Sequence, residues 1–323
     1  MNRIYVLFIF FIIEKGFIAM FLLIFNQLMK MLLIMAAAFI CYRIKLINQE
    51  GNRNFSNLLL MIVNPCLIIT VYQTDYNSHL IQGLLIAFLL AIASHMIGIV
   101  ISHFAFPKHI TDFEIERFTS IYSNCGFMGI PIVNSVLGSE GVFYLTAYIS
   151  VFNFLSWTHG TGLLIGKFSR KNLKQGLLSP MILATAGGLI LFFLQIRLPE
   201  IFIDSLNYIA SMNTPLAMIV AGLSVAQADL KKIFINLRIL KVSMFRLLAI
   251  PFAVLLLFSF LPVNHRVTYP ILIASACPCA TTGTMMSIRF NKNYTYSSEI
   301  VSVSTVLSIL TIPIVTYFSG FLL

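Results

Sequence analysis

Charge is scarce in this sequence, and negative charge is the scarcest. Of 323 residues, 11 are acidic and 21 are basic, so that only 10% are charged. A soluble protein of 36.3 kDa needs more charge than this to cover a surface that faces water, so most of the surface must face lipid. The composition therefore excludes a disordered chain and a soluble enzyme.

Cysteine is scarce as well, and its placement excludes a secreted domain held together by disulfides. All five cysteines fall within apolar stretches, and none has the paired, loop-borne spacing of a disulfide framework. Cys277-Pro278-Cys279 is similar to the thiolate pair of copper-pumping ATPases, but the large cytoplasmic domains of those pumps have no counterpart. No metal site is predicted. No nucleophile–base pair, phosphate-binding glycine loop or zinc spacing occurs either, so no catalytic residue and no cofactor are predicted.

Apolar residues, by contrast, are abundant: 59% of the chain is hydrophobic, and the mean hydropathy is +0.93. A helix that crosses the hydrocarbon layer needs about 20 mostly apolar residues, and ten stretches qualify. Their predicted limits are 21–42, 55–74, 80–104, 118–138, 142–166, 177–196, 203–226, 239–261, 268–289 and 299–321. The predicted fold class is therefore an all-α polytopic membrane protein with ten transmembrane helices, which has the lipid bilayer as a partner.

The basic residues indicate how the spans are oriented. Fifteen of the 21 lie in the loops after spans 1, 3, 5, 7 and 9, whereas the loops after spans 2, 4, 6 and 8 contain only Arg197 and Arg266. Basic loops remain on the cytoplasmic side, so both termini are predicted to lie outside a cytoplasmic (inner) membrane. The net charge of +10 is thus explained by the membrane topology, and no nucleic-acid partner is predicted.

The first 19 residues are predicted to be an extra N-terminal segment. Residues 4–13 are apolar but too short to cross a membrane, and Glu14-Lys15 interrupts the run. A signal peptide is one alternative, although the start lacks a convincing small-residue cleavage site. Translation is expected to begin at Met20, or the segment is expected to form a helix at the membrane interface.

The sequence contains an internal repeat. Asn57 and Pro65 in span 2 recur, 150 positions later, as Asn207 and Pro215 in span 7. Residues 20–166 and 177–323 are therefore predicted to be two five-helix repeats joined by a cytoplasmic connector, 167–176. Because five is odd, the second repeat must cross the membrane in the opposite sense, as in secondary transporters with inverted repeats.

A second pair of prolines predicts two broken helices. Pro131 in span 4 and Pro278 in span 9 are 147 positions apart, and small or polar residues surround both. Proline removes a backbone donor and clashes with the preceding turn, which a membrane tolerates only where the backbone is buried in protein or lines a cavity. Spans 4 and 9 are therefore expected to break and to cross at mid-membrane. Pro107, Pro251 and Pro313 have no such partners and are interpreted as structural.

The breaks predict a site for an anion. A half-helix that begins at mid-membrane directs free N–H groups and the positive end of its dipole into the cavity. The N–H groups near Thr281 and Thr282, and those near Ile132 and Val133, are therefore candidate ligands of a carboxylate. The predicted substrate-binding residues are Asn64, Pro65, Asn124, Gly126, Gly129, Pro131, Pro278, Thr281 and Thr282.

Ionisable side chains are nearly absent from the middles of the spans. Spans 2 to 10 contain no Asp or Glu there, which disfavours coupling through a buried carboxylate pair. His95, His103 and His159 are interpreted as bonding neighbouring helices, with a proton relay as the alternative. Arg246 in span 8 is expected to extend toward the headgroups, with attraction of anions as the alternative.

Several motifs resemble the auxin efflux carrier family, which includes the plant PIN-FORMED carriers and bacterial malonate and malate permeases. The resemblance covers nearly the whole chain from Met20. Its most specific segments are Ser123 to Pro131, the surroundings of Pro65, Thr214-Pro215-Leu216, Gly222-Leu223-Ser224, and Pro278 through Arg289-Phe290. Cys277 and Cys279 depart from the leucine and the small or polar residues of many relatives.

The resemblance implies ten helices in two inverted repeats, with spans 4 and 9 crossing at their prolines beside the substrate. It implies that Asn124 lies near the ligand carboxylate. It further implies a scaffold of spans 1, 2, 6 and 7, through which a homodimer can form, and a mobile transport domain of the other six spans.

The predicted function is secondary transport of a small organic anion, such as a carboxylate, by alternating access; no enzyme activity is predicted. Two alternatives remain open. One is a sodium-coupled symporter of the bile-acid-carrier type, with an ion site around Thr281, Thr282 and Asn124. The other is a membrane sensor that does not transport. The identity of the anion and the direction of transport stay open.

Overall fold

The structure is a computed structural model that describes residues 3–75, 77–167, 170–228 and 236–322, and the side chains of these residues from Leu22 onward. Within this part of the chain there are sixteen α-helices and four π-helical turns, and no β-strand. The α-helices are α1 (Arg3–Arg43), α2 (Gln49–Leu58), α3 (Asn64–Val71), α4 (Ser78–Ala105), α5 (Phe113–Ile121), α6 (Ile130–Leu155), α7 (Thr161–Ile165), α8 (Arg170–Leu177), α9 (Pro180–Phe193), α10 (Glu200–Ser211), α11 (Asn213–Ala226), α12 (Leu237–Met244), α13 (Ile250–Ser259), α14 (His265–Ala276), α15 (Thr282–Arg289) and α16 (Tyr294–Leu322). The π turns are Leu59–Val63, Cys125–Gly129, Ser156–Gly160 and Phe245–Ala249.

In the described part of the chain, seven helical stretches are each long and apolar enough to cross a membrane. They are Leu22–Arg43, Gln49–Val71, Ser78–Ala105, Cys125–Ile165, Glu200–Ala226, Leu237–Ser259 and Tyr294–Leu322. Helices α8 and α9 qualify only as a pair, which is bent by 50°. Large side chains on these stretches, such as Leu33 and Phe104, are 72% and 80% exposed, as expected where lipid surrounds the protein. The protein is an all-helical, integral, multi-pass membrane protein.

Seven stretches are fewer than the ten predicted spans for three reasons: span 6 qualifies only together with α8, span 9 is divided into two short helices, and the second half of span 4 continues into span 5. Span 4 begins as the separate helix α5, and its second half continues into span 5 as one 41-residue stretch, Cys125–Ile165. That stretch turns at Gly138, where φ is 59°, a value that L side chains rarely adopt. Span 9 consists of α14 and α15, of 12 and 8 residues, each too short to cross the hydrocarbon layer alone.

Three π turns precede a proline at the same distance. They end two residues before Pro65, Pro131 and Pro251. Proline lacks an N–H, and its ring clashes with the carbonyl four residues earlier; that carbonyl lies within the π turn in each case. The helix widens locally and continues, so these prolines distort their helices without interrupting them.

Close backbone packing holds the helices that surround the broken spans. Helix α1 lies along α11, where a β-carbon on Gly222 would overlap the carbonyl oxygen of Met35. Helices α4, α6 and α14 pack together around the two breaks, and α16 packs along α12 and α15. The halves of the broken spans thus pack against the unbroken helices α4 and α16.

Ion pairs join the connections at one end of the bundle. Arg197 pairs with Asp75, and the Nη1 atom of Arg266 lies 3.1 Å from Oε2 of Glu140. Arg197 and Arg266 are the two basic residues that depart from the loop pattern of the other fifteen. Each is thus neutralised by a carboxylate from a neighbouring connection.

Two predicted segments contain helix. Helix α1 extends from Arg3 to Arg43, so the described residues of the predicted segment 1–19 lie on the same helix as span 1. The predicted connector, 167–176, is not a simple loop, because α8 begins at Arg170. Phe168 and Ser169, and residues 229–235 of the basic loop after span 7, lie outside the described residues.

Candidate functional site

The breaks in spans 4 and 9 lie against each other in the interior. The backbone N–H of Asn124 donates to the carbonyl of Pro278 over 2.7 Å, and the N–H of Ala280 donates to the carbonyl of Tyr122 over 2.9 Å. Ser123 and Cys279 therefore face each other in an isolated antiparallel bridge. We call residues 122–124 and 277–281 the crossover.

Pro278 lies within the break of span 9, whereas Pro131 lies outside the break of span 4. Pro278 lies within its break, and Cys277 before it is extended, with φ −62° and ψ 152°, because a following proline disfavours the helical region. Pro131 lies seven residues beyond the break of span 4, as the second residue of α6. The expectation that both spans cross at their prolines is thus wrong for span 4.

The backbone donors of the crossover are also shifted from their predicted places. Ile132 and Val133 lie within helical turns that begin at Cys125, so the prediction that their N–H groups are free is wrong. In that half, the N–H groups of Gly126 and Phe127 have no main-chain acceptor among the described residues. Thr281 and Thr282, at the start of α15, likewise have no main-chain acceptor there.

Three asparagine side chains beside the crossover have unsatisfied groups. Asn213 donates from Nδ2 to Oδ1 of Asn64 over 2.7 Å, which leaves Nδ2 of Asn64 and Oδ1 of Asn213 without partners. Nδ2 of Asn124 is also buried and unpaired. A β-carbon built on Gly126 would lie 3.9 Å from Nδ2 of Asn64, so the Asn64 amide lies close to the start of the second half of span 4.

Asn213 was missed by the sequence analysis, although the repeat contains the signal. Asn64 directly precedes Pro65, and Asn213 lies two residues before Pro215, the matching proline of span 7. At the repeat's offset of 150 Asn64 aligns with Thr214, so the signal is an asparagine one residue away from the matching position.

A cavity of about 290 Å³ lies next to the Asn64–Asn213 pair, between α3, α6, α10 and α11. Its walls mix aliphatic groups with neutral polar ones and contain no charged side chain. The lining residues are Leu67, Thr70, Val71, Ile130, Pro131, Asn134, Ser139, Val142, Asn207, Ala210, Ser211, Asn213 and Thr214. Of the predicted site residues, only Pro131 lines this cavity.

The remaining predicted residues surround the crossover in different ways. Pro65 lies in α3, next to Asn64. A β-carbon on Gly129 would lie 3.5 Å from the Cys277 sulfur, so Gly129 faces the break of span 9. Thr281 precedes α15, and Thr282 directs a buried, unpaired Oγ1 into the protein.

Arg246 does not extend toward the headgroups, and that expectation is wrong. Its side chain is fully buried. Nη1 donates to the carbonyls of Ser120 and Ile121 over 3.0 and 2.7 Å, and Nη2 donates to the carbonyl of Ser275. Those carbonyls belong to the last turns of α5 and α14, so one guanidinium caps both half-helices where they end at the crossover.

A buried carboxylate was also missed, because span 4 begins five residues before its predicted limit. Glu116 in α5 is 2% exposed. Its Oε1 atom accepts hydrogen bonds from Nη2 of Arg238 and from Oη of Tyr296, each over 2.7 Å. Glu116 thus ties α5 to α12 and α16 at the end of the bundle away from the crossover.

The three histidines have separate environments. Nδ1 of His95 lies 2.8 Å from the carbonyl of Ala91, and its ring centroid lies 4.5 Å from that of Tyr148. Nδ1 of His159 lies 2.9 Å from Oη of Tyr122. His103 provides its carbonyl to Arg117. His95 and His159 therefore both contact residues around the break of span 4.

Fold and site together define an integral membrane protein built around two broken helices that cross. The sequence model of a family described as membrane transport protein matches residues 23–168 and 164–316. The chain belongs to this family, and the resemblance to auxin efflux carriers is confirmed. The family is one of transporters, not of enzymes. The chain is also 22% identical over 282 residues to an uncharacterized transporter of Methanocaldococcus jannaschii, across 83% of this chain and 90% of the relative.

Proposed function

We propose that this protein transports a small organic anion, such as a carboxylate, across the cytoplasmic membrane by alternating access around the crossover. The observation that carries the proposal is the set of unpaired donors there. Backbone N–H groups at the start of both second halves have no main-chain acceptor among the described residues, and Nδ2 of Asn64 and Nδ2 of Asn124 have no hydrogen-bond partner. Buried donors without partners are costly, and a ligand rich in acceptor oxygens would satisfy them.

The helix dipoles favour the same ligand. Both second halves direct their N-terminal, positive ends toward the crossover. No charged side chain lines the neighbouring cavity, so neutral amides and helix ends would hold the anion. Such a site suits a compact anion, since the cavity of about 290 Å³ is at the lower end of the range for small-molecule sites.

The proposal includes ten spans in two inverted repeats of five. Seven continuous stretches and the bent pair α8–α9 account for eight units, one of which contains both the second half of span 4 and span 5. Counting each broken helix as one span brings the total to ten. In a variant without the native cysteines, His109→Cys and Asn291→Cys should then label from the cytoplasm, and Ser139→Cys and Asn264→Cys should label from outside.

The same proposal places both termini outside and allows a homodimer through spans 1, 2, 6 and 7. Exposed apolar side chains on α10, such as Ile201 and Tyr208 at 74% and 79%, support a contact on that face. Light scattering of the purified protein, corrected for detergent, measures whether one or two copies are present.

The ligand test begins with thermal unfolding of the purified protein against small monocarboxylates, dicarboxylates, amino acids and indole acids. The anion that raises the unfolding temperature most is then measured for uptake into proteoliposomes. Binding without accumulation in either direction would contradict transport and favour the sensor.

Asn124→Ala should abolish uptake and leave the unfolding temperature nearly unchanged, because Nδ2 of Asn124 bonds nothing in the protein. Asn153→Ala is the matched control, since Nδ2 of Asn153 donates within its own helix to the carbonyl of Ile149. Near-normal uptake by Asn124→Ala would remove this residue from the site.

A sodium-coupled symporter is the second candidate, with an ion held by hydroxyls and carbonyls near Thr281, Thr282 and Asn124. The unpaired Oγ1 of Thr282 is the observation in its favour. Anion uptake that is unchanged when choline replaces sodium would eliminate it.

A further inference from the structure

Arg246 is a cation buried without an anionic partner. Its side chain is fully buried, and among the described residues no carboxylate pairs with it. An unpaired charge in a protein interior is strongly destabilising. The charge of Arg246 must therefore be offset by something other than an acidic side chain.

The ends of the two half-helices provide that compensation. The last four carbonyls of a helix have no helical partner, and the C-terminal end carries about half a negative charge from the macrodipole. The two nitrogens Nη1 and Nη2 contact such carbonyls on both α5 and α14. Two ends of about half a charge each balance one guanidinium.

The local fold directs Arg246 to this position. It is the second residue of the π turn Phe245–Ala249, which the following Pro251 imposes. The wider turn changes the direction of the side chains around it. Pro251 thus has a role beyond bending its helix, because it helps to aim Arg246 at the crossover.

In carriers with broken helices, the C-terminal ends of half-helices and unwound carbonyls are where a coupling cation binds. We propose that Arg246 is the resident cation of this crossover and takes the place of a bound sodium ion. This inference rests on the proposed function. It also sharpens that function: with the negative ends neutralised by Arg246, the positive ends that begin at Cys125 and Thr282 remain uncompensated and select an anion.

Among the described residues, no cluster of metal-ligating side chains competes with Arg246 as the cation of the crossover. In the described part of the chain, no group of three or more His, Cys, Asp or Glu side chains is arranged to hold a metal ion. The carbonyls of Ser120, Ile121 and Ser275 are already occupied by the guanidinium. Arg246 is therefore a positioning residue that holds α5 and α14 together and does not touch the substrate.

The test compares wild type with Arg246→Ala in proteoliposomes that contain choline, sodium or methylguanidinium at equal ionic strength. Wild-type anion uptake should be the same in choline and sodium. Arg246→Ala should lose uptake in choline and regain part of it in methylguanidinium, because the small cation refills the space between the carbonyls. Arg266→Ala is the matched control: it removes an exposed arginine from the other end of α14 and should show no cation dependence.

Thermal unfolding provides a readout that does not depend on transport. Methylguanidinium should raise the unfolding temperature of Arg246→Ala relative to choline and should leave that of the wild type unchanged. If the wild type transports no anion, the proposed function fails, while a cation-dependent rise in Arg246→Ala still supports the resident cation.

Two results would overturn the inference. One is wild-type uptake that requires sodium, and the other is Arg246→Ala with normal uptake and stability in choline. If Arg246→Ala does not fold, Arg246→Lys replaces it, since lysine retains the charge and loses the planar fork. Slower, sodium-independent uptake by Arg246→Lys supports the inference, and uptake stimulated by sodium contradicts it.

Discussion

Spans 4 and 9 break at the same place in the bundle, but for different reasons. In span 9 the cause is local: Pro278 lies in the break and holds Cys277 in an extended conformation. In span 4 the broken residues, 122–124, contain no proline. Their partners hold them open, since the backbone bonds span 9 and Oη of Tyr122 donates to the carbonyl of Leu155 over 2.9 Å. One break is therefore intrinsic to its segment, and the other depends on the assembled fold.

The largest difference should follow from removing the two prolines one at a time. Pro278→Ala removes the bar to a continuous helix, which proline disfavours by about 3 kcal/mol. Span 9 should then tend to close its break, and anion uptake into proteoliposomes should be lost. Pro131→Ala relaxes only the π turn beyond the break, so its uptake should fall less. Equal losses in the two variants would contradict the distinction between the breaks.

The second effect concerns the hydrogen bonds that hold α5, the first half of span 4, and α15, the second half of span 9. Glu116→Gln weakens the charge-assisted bonds that hold α5 to Arg238 and Tyr296 and should lower the free energy of unfolding by about 2 kcal/mol. The counterpart on α15 is Arg289, whose bond to Gln175 is exposed. Arg289→Ala should cost less than about 1 kcal/mol. Thermal unfolding in detergent measures the loss of stability in both variants. A larger loss in Arg289→Ala than in Glu116→Gln would show that α15 is the better anchored half.

The hydroxyl of Ser304 should stabilise the break of span 9 through one hydrogen bond. Oγ of Ser304 accepts from the backbone N–H of Cys279 over 3.1 Å, in the buried interior. Ser304→Ala leaves that N–H unpaired, which should cost about 1–3 kcal/mol. Ser308→Ala in the same helix is the control, because Ser308 also donates to a carbonyl of its own helix. Among the described residues Ser308 accepts from no backbone N–H of span 9, and its only other contact of this kind is with Sδ of Met128 at 4.0 Å. If both variants lose the same stability, the bond to Cys279 contributes nothing specific.

The smallest effects should come from the glycines on either side. A β-carbon on Gly126 would meet only Nδ2 of Asn64, at 3.9 Å, whereas one on Gly283 would lie 3.2 Å from Cγ2 of Thr119. Gly126→Ala should leave the free energy of unfolding unchanged or raise it by about 0.5 kcal/mol. It should still reduce uptake, because its methyl group occupies space beside the unpaired amide of Asn64. Gly283→Ala should lower that free energy by about 1 kcal/mol. Full uptake by Gly126→Ala would place the ligand elsewhere.

A feature of this protein can be predicted from the sequence when its cause lies in composition or in neighbouring residues. Spans 1, 2, 3, 7, 8 and 10 were placed within a few residues or one to two turns, because each is a long apolar run whose burial in lipid is decided by composition. The break in span 9 was predicted because proline acts on its own neighbours. The break in span 4 was assigned to Pro131, which acts locally too, but produces only a π turn.

The misplaced residues depend on partners that lie far from them in the sequence. Arg246 was expected in the headgroups, and its acceptors on α5 and α14 lie 125, 126 and 29 positions away. Asn213 meets an amide 149 positions away. Glu116 lies outside the predicted limits of span 4, and its partners Arg238 and Tyr296 lie 122 and 180 positions away. No local pattern encodes such pairings.

By itself, the sequence determined that the protein is a polytopic membrane protein, because scarce charge and long apolar runs leave the chain no soluble alternative. Its motifs, such as Ser123 to Pro131, carried the resemblance to the auxin efflux carrier family. It also determined that Pro278 breaks a helix. Only the tertiary structure decided where span 4 opens, which amides meet, and that one buried arginine caps both half-helices. Those features arise from hydrogen-bonding groups whose burial is tolerated only once a distant segment supplies the partner.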